Sequence, residues 1–203
     1  MKIGMIITAA GMSTRQKPNK LLIRSCNETI IEKTINNFMN NNLDIFVIIG
    51  YQKELIVPII NDRFRNDIQI VENKEYESGI ASSLKAGIRV AGENYDYIGF
   101  CNGDKPFINV KTVGIILKYL EENQPQILVP LYQEQSGHPT IFSKEFVNDF
   151  SLISGDTGGR EVIKKHPNAV TYLPINDKGI ILDMDKYLEE QKHNHESTNK
   201  NNK

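Results

Sequence analysis

No run of this sequence approaches the roughly 20 consecutive apolar residues that a bilayer span requires, so no membrane partner is expected. Cysteine is equally scarce. Its two positions, Cys26 and Cys101, lie far apart in no metal-type spacing. They read as reduced thiols of a cytoplasmic protein, with Cys101 buried in a strand that includes Tyr97-Ile98-Gly99-Phe100. An excess of either charge is also missing. The 24 basic and 25 acidic side chains nearly cancel, which removes the global field that nucleic acid or an anionic membrane would exploit. Any electropositive site must therefore be local. The glycine patterns of two common nucleotide sites are absent as well: there is no Gly-Lys-Ser/Thr at P-loop spacing and no Gly-x-Gly-x-x-Gly turn.

What is present suits one domain of about 190 residues with a sizeable core. The short apolar run from Ile3 to Thr8 reads as a first strand rather than a signal peptide. Leu21-Leu22-Ile23 reads as a short extended piece, and Thr29 to Asn40 carries Ile30, Ile31, Ile35, Phe38 and Met39 at helical spacing. Strand-like runs follow at Asp44 to Ile49, Ile68 to Glu72, Tyr95 to Cys101, Ile127 to Leu131, Pro139 to Phe142, Val170 to Leu173 and Ile180 to Leu182. Helical runs fall between them, and the one from Gln52 to Asn61 is expected to be kinked or shortened by Pro58. This alternation predicts an α/β protein whose mostly parallel sheet is covered on both faces. The tail from Gln191 to Lys203 has no apolar residue and is expected to be disordered. His193 and His195 lie in it, and a solvated tail is a simpler reading for them than metal binding.

Three elements carry chemistry. The first strand runs into Ala9-Ala10-Gly11-Met12-Ser13-Thr14-Arg15, with Lys20 just beyond. Small residues expose backbone N–H groups to an anion, Ser13 adds a hydroxyl, and Arg15 and Lys20 add fixed positive charge. The plain alternative is a strand-to-helix turn with incidental basic residues. The fourth strand ends at Asn102-Gly103-Asp104-Lys105-Pro106, where Asp104 is placed to bind a metal ion. All of these residue types are also ordinary in a turn. Asp183-Met184-Asp185 follows an extended-looking run and offers one or two further metal ligands, a helix N-cap, or one of each. In a doubly wound sheet, ligands bind beyond the carboxyl ends of the strands, which puts the first two elements on one rim.

In this order these elements resemble the MobA-like nucleotidyltransferase family, most nearly its molybdenum cofactor cytidylyltransferase branch. The resemblance rests on Thr8-Ala9-Ala10-Gly11-Met12-Ser13-Thr14-Arg15…Lys20-Leu21-Leu22, on Asn73, Gly79, Ser83-Leu84 and Gly87, on Gly103-Asp104-Lys105-Pro106, on Gly137-His138-Pro139 and on Gly155-Asp156-Thr157-Gly158-Gly159-Arg160. It implies a Rossmann-like three-layer α/β/α nucleotidyltransferase fold that transfers CMP from CTP to the phosphate of a molybdopterin-type acceptor with Mg²⁺. A molybdoenzyme or its maturation chaperone is an implied partner. On that resemblance Arg15, Lys20 and Asp104 act catalytically. Ala9, Ala10, Gly11, Ser13, Gly79, Ser82 and Ser83 join them around the nucleotide. His138, Pro139 and Asp156 line the acceptor side, and Asp104, Asp183 and Asp185 are the metal ligands. His138 has an alternative as a loop residue held extended before Pro139, and Asp156 as a helix cap. The chain departs from the pattern at Gln16-Lys17 in place of Met-Gly, at Lys105, and after Asp185, where Thr-Pro is missing. Transfer from GTP, a sugar- or alcohol-phosphate acceptor, and a catalytically silent nucleotide-binding partner are the competing expectations.

Overall fold

A computed structural model describes residues 1–12, 19–25, 27–39, 41–92 and 94–190, with the backbone alone at Asn66. Ser13, Arg15, Gln16, Lys17, Cys26 and the tail from Gln191 lie outside the described residues. Strand β1 (Ile3–Ala9) is buried along its whole length, as a strand flanked on both sides and covered on both faces must be. After a small hairpin of β2 (Arg24–Ser25) and β3 (Glu28–Thr29), helix α1 (Ile30–Met39) begins. Its start is a capping box. Glu32 Oε2 accepts both the Thr29 N–H and the Thr29 hydroxyl at 2.7 Å, and the Glu32 N–H donates to Thr29 Oγ1 at 3.3 Å.

The chain continues through β4 (Asp44–Ile49), α2 (Lys53–Phe64), β5 (Ile68–Glu72), α3 (Ile80–Ala91) and β6 (Tyr97–Asn102). Next come α4 (Val110–Asn123), β7 (Ile127–Tyr132), β8 (Gln135–Ser136), β9 (Thr140–Ser143), α5 (Gly159–Lys165) and β10 (Val170–Pro174). The main sheet runs β10-β7-β9-β6-β1-β4-β5, with β8 against β7. β9 is antiparallel to both of its neighbours; β6, β1, β4 and β5 form a continuous parallel block. The mostly parallel α/β architecture is as the sequence pattern predicts.

Alternation along the central strands sends side chains to two separate cores. Met5, Ile7, Val47 and Ile49 pack with Ile31, Ile35 and Phe38 of α1, Ile56 and Ile60 of α2, and Val113 and Ile116 of α4. Ile6, Phe46 and Ile48 face the other way, toward Ala81 and Leu84 of α3, Val162 of α5 and the cluster Phe100, Phe142 and Phe150. Helix α3 lies close over β1 at Gly87, where a Cβ would stand 2.8 Å from the Ile6 side chain.

Three local expectations give way to tertiary packing. Helix α2 passes unbroken through Pro58, because Ile56, Ile60 and Phe64 recur every fourth residue on one buried stripe. Each such side chain contributes about 1.5–3 kcal/mol on burial, enough to outweigh one missing hydrogen bond. Leu21 and Leu22 belong to a 3-10 turn, Lys20–Leu22, rather than an extended piece. Ile180 ends another, Lys178–Ile180, and no strand forms up to Leu182, because the segment packs under the sheet's rim instead of pairing with an edge. No helix among the described residues is long and apolar enough to cross a membrane. Replacing Thr29 with Ala removes the capping box beneath α1, and urea unfolding is expected to show a loss of about 1–2 kcal/mol with an unchanged slope.

Candidate active site

The topology fixes where a ligand must sit. From β1 the chain runs outward to β4 and β5, then returns to place β6 on the other side of β1. The crevice at the carboxyl ends of β1 and β6 is therefore the switch point of the sheet. A cleft of about 680 Å³ opens there. Its wall takes Thr8, Ala9, Gly11 and Met12 from the end of β1, Lys20 and Leu21 from the following turn, and residues 76–80 with Ser83 from the start of α3. Asn102, Gly103 and Asp104 come from the end of β6, and Asp156 and Asp185 from two distant segments.

Local bonding holds the acidic loop rigidly. The Gly103 N–H donates to the Thr8 carbonyl at 2.8 Å, and the Thr34 hydroxyl of α1 donates to the Gly103 carbonyl at 2.9 Å. Asn37, also on α1, donates to the Pro106 carbonyl at 3.1 Å. A Cβ at Gly103 would lie 3.0 Å from that same Thr8 oxygen, so the glycine lets the loop fold tightly against β1. Asn19 caps the turn that carries Lys20, its Oδ1 accepting the Leu21 N–H at 3.1 Å.

Lys20, Asp104 and Asp185 meet at the floor of the cleft. The Lys20 ammonium lies 2.6 Å from Asp104 Oδ2 and 2.9 Å from Asp185 Oδ2. Burial alone would depress the Lys20 pKa, but the two carboxylates outweigh it and hold the group above its ordinary value. The second oxygen of each carboxylate, Oδ1, is buried and has no hydrogen-bond partner. A buried carboxylate oxygen left without a partner is costly unless something positive completes it. Among the described residues no set of three or more His, Cys, Asp or Glu side chains gathers into a closed metal cage. Two carboxylates and open space for phosphate oxygens suit a Mg²⁺-type ion, which keeps part of its shell for substrate and water.

The opposite wall is built around Asn73 and two glycines. Asn73 Nδ2 donates to Ser82 Oγ at 2.8 Å and to Ser83 Oγ at 3.1 Å, while its Oδ1 accepts the Glu75 N–H. Ser82 then donates to the Gly79 carbonyl, so its hydroxyl serves the helix start, and Ser83 is the serine in the wall. Gly79 adopts φ +98°, and a Cβ there would fall 2.3 Å from the Gly155 carbonyl carbon. The close approach that this glycine permits is to the 154–158 loop, whose Gly155 carbonyl accepts the Ala81 N–H. That contact delivers Asp156 to the cleft.

Of the residues singled out from the sequence, the fold brings together Ala9, Gly11, Lys20, Gly79, Ser83, Asp104, Asp156 and Asp185. Ala10 is buried behind the wall, its carbonyl accepting the Tyr51 N–H. Asp183 and Asp185 part company. Asp183 caps the helical segment 184–190 through the Lys186 N–H at 2.9 Å, and Asp185 turns into the cleft. His138 and Pro139 do not reach the wall either. The His138 ring is half-buried behind the Asp104 loop, with Nδ1 3.3 Å from the Phe100 carbonyl, which requires the proton on Nδ1. Tyr76, Glu77, Ser78 and Asn102 line the cleft without having been singled out as site residues. Their one sequence signal is proximity to Gly79 and Asp104. Cys101 is buried in β6, and burial pushes its thiol pKa well up, which makes it inert.

Desolvation, reinforced by the charge of Lys105, lowers the His138 pKa to about 4. An unfolded chain takes up this proton near pH 6.5, before the folded protein does. The associated stability is therefore present above about pH 6.5 and lost as pH falls to about 4, by up to about 3 kcal/mol. Chemical denaturation of a His138→Gln variant is expected to show a correspondingly shallower decline across that window.

Known proteins share this fold and part of this sequence. The chain is 28% identical over 144 residues to the molybdenum cofactor cytidylyltransferase of Escherichia coli K12, an alignment covering 70% of each chain. Among solved structures it superposes on Rv0371c of Mycobacterium tuberculosis with a TM-score of 0.79 at 20% identity, over 95% of this chain and 96% of that one. It superposes on a nucleotidyl transferase of Methanothermobacter thermautotroptrophicus with a TM-score of 0.77 at 18% identity, over 95% and 97%. The family model of the MobA-like NTP transferase domain matches residues 5–170, a span that includes most of β1, Lys20, the Asp104 loop and Asp156, and the chain belongs to that family.

Proposed function

We propose that this nucleotidyltransferase transfers CMP from CTP to the phosphate of a molybdopterin-type acceptor in the cytoplasm, with Mg²⁺, and releases pyrophosphate. The observation that carries the reading is the pair Asp104 and Asp185, each with one buried unpartnered oxygen, flanking Lys20 at the floor of the cleft. The likeness to the Escherichia coli cytidylyltransferase favours the cytosine base and this acceptor.

In the reaction, a phosphate oxygen of the acceptor attacks the α-phosphorus of CTP in line. A new P–O bond forms as the bond to the bridging oxygen of the β-phosphate breaks. The protein's part is positioning and charge compensation, with no covalent intermediate. Gly11, which has open space where a Cβ would point, leaves room for the triphosphate along the end of β1. Lys20, with Arg15 five residues before it in the sequence, offsets charge on the departing pyrophosphate. Asp104 and Asp185 are the residues that would hold a Mg²⁺ ion. Bound there, the ion supplies electrostatic stabilisation of the charge that develops on the α-phosphate. Ser83 meets the nucleoside, and Asp156 faces the acceptor. A molybdoenzyme or its maturation chaperone is the natural recipient of the product.

The direct test incubates the protein with Mg²⁺, molybdopterin and either CTP or GTP, and identifies the small-molecule product by mass spectrometry. The cytosine dinucleotide form of the cofactor is expected from CTP alone; a guanine product, or none from CTP, overturns the reading. Asp104→Asn is expected to keep the circular dichroism of the parent and lose about 10²–10³-fold in kcat. Lys20→Ala is expected to weaken CTP binding by about tenfold or more in calorimetry, since one charge-assisted contact to phosphate is lost.

A further inference from the structure

Lys105 is the odd member of the acidic loop. Its neighbour Asp104 faces the cleft, but Lys105 points back into the protein and is only 5% exposed. Its ammonium donates to the Ile181 carbonyl at 3.1 Å and lies 3.7 Å from Asp183 Oδ2. Burial lowers its pKa, with Asp183 and Asp104 opposing that effect. An unpaired ammonium in such a place would be strongly disfavoured, so these two acceptors are what make the charge tolerable.

The segment that Lys105 grips is the one that delivers Asp185. Residues 181–183 belong to no strand. The Met184 N–H donates to the Asp104 carbonyl at 3.1 Å, and the His138 N–H to the Ile180 carbonyl at 2.9 Å. Asp183 caps the helical segment 184–190, receiving the Lys186 N–H at Oδ1 and the Tyr187 N–H at its own carbonyl. Lys186 Nζ reaches the Ile181 carbonyl from the solvent side at 3.4 Å. Among these ties, Lys105 alone brings a buried side-chain charge from the Asp104 loop to both the carbonyl that precedes the cap and the carboxylate that makes it.

We propose that Lys105 is a positioning residue for the metal-binding pair. By fixing Ile181 and the Asp183 cap against the Asp104 loop, it holds Asp185 opposite Asp104 before any cation arrives. The inference rests on the assignment of Asp104 and Asp185 as the metal ligands. Groups that orient metal ligands commonly contribute 10–100-fold to metal affinity. An apolar side chain of similar length keeps the volume but not the grip.

The test is Mn²⁺ binding to the nucleotide-free protein, measured by calorimetry for the wild type, Lys105→Met, Asp185→Asn and the double variant, with thermal unfolding followed in EDTA. Lys105→Met is expected to weaken Mn²⁺ binding about tenfold. In the Asp185→Asn background the same change is expected to have no further effect. Wild-type affinity in Lys105→Met, or an equal loss with and without Asp185, overturns the proposal. Should Lys105→Met fail to fold, Asp183→Asn keeps a cap but removes the carboxylate facing Lys105. It is expected to weaken Mn²⁺ binding in the same Asp185-dependent way, and unchanged affinity there is equally fatal. If the wild type itself binds no Mn²⁺, the metal assignment falls and this inference with it. If the wild type binds, Asp104→Asn does not, and Lys105→Met binds normally, only the role of Lys105 is lost.

Discussion

The ammonium of Lys20 sits between two carboxylates drawn from positions 104 and 185, and much of the molecule is arranged around that meeting. Three charged groups in a cleft floor repel or attract strongly because water screens them poorly there. Two carboxylates alone would push each other apart. One cation between them makes their proximity stable, and each still keeps an oxygen unused. The Mg²⁺ ion of the proposed reaction would be the second positive centre of this arrangement.

The fold earns this geometry through β1. A strand buried on both faces cannot shift register without moving every side chain from one core to the other. Its carboxyl end is thus a fixed point. The Asp104 loop is hydrogen-bonded to it through Thr8, the Lys20 turn follows from it, and α1 braces the loop from below through Thr34 and Asn37. The other wall depends on a backbone crossing between Gly79 and Gly155 that has no room for a side chain. The 154–158 loop, which carries Asp156, is thereby coupled to the start of α3, although the two are far apart in the chain.

Most of the architecture was readable from apolar patterning, because the buried strands β1, β4 and β6 are nearly continuous apolar runs and α1 and α3 each bury an apolar stripe at helical spacing. The site was readable where small residues, a lysine and an aspartate fall at strand ends. It was less readable where a residue's role depends on its neighbours in space. Ser82 and Ser83 look equivalent in the chain, yet Ser82 is spent on the Gly79 carbonyl and Ser83 is not. Asp183 and Asp185 look like a symmetric pair, yet Asp183 caps the helical segment while Asp185 pairs with Lys20 in the cleft. His138 carries chemistry by type, but here its ring is turned toward the Phe100 carbonyl behind the Asp104 loop.

The order of residues by itself determined the alternation of strands and helices, the sheet they build, and the placing of Gly11, Lys20 and Asp104 along one rim. These follow from local period and turn chemistry, which a linear sequence contains. Only the tertiary structure decided that Asp185 rather than Asp183 completes the cleft floor, that Gly79 makes way for Gly155, and that Lys105 is buried beneath the segment it restrains. Such outcomes depend on which groups compete for the same space and the same hydrogen-bond acceptors. That competition arises only once distant segments are packed together.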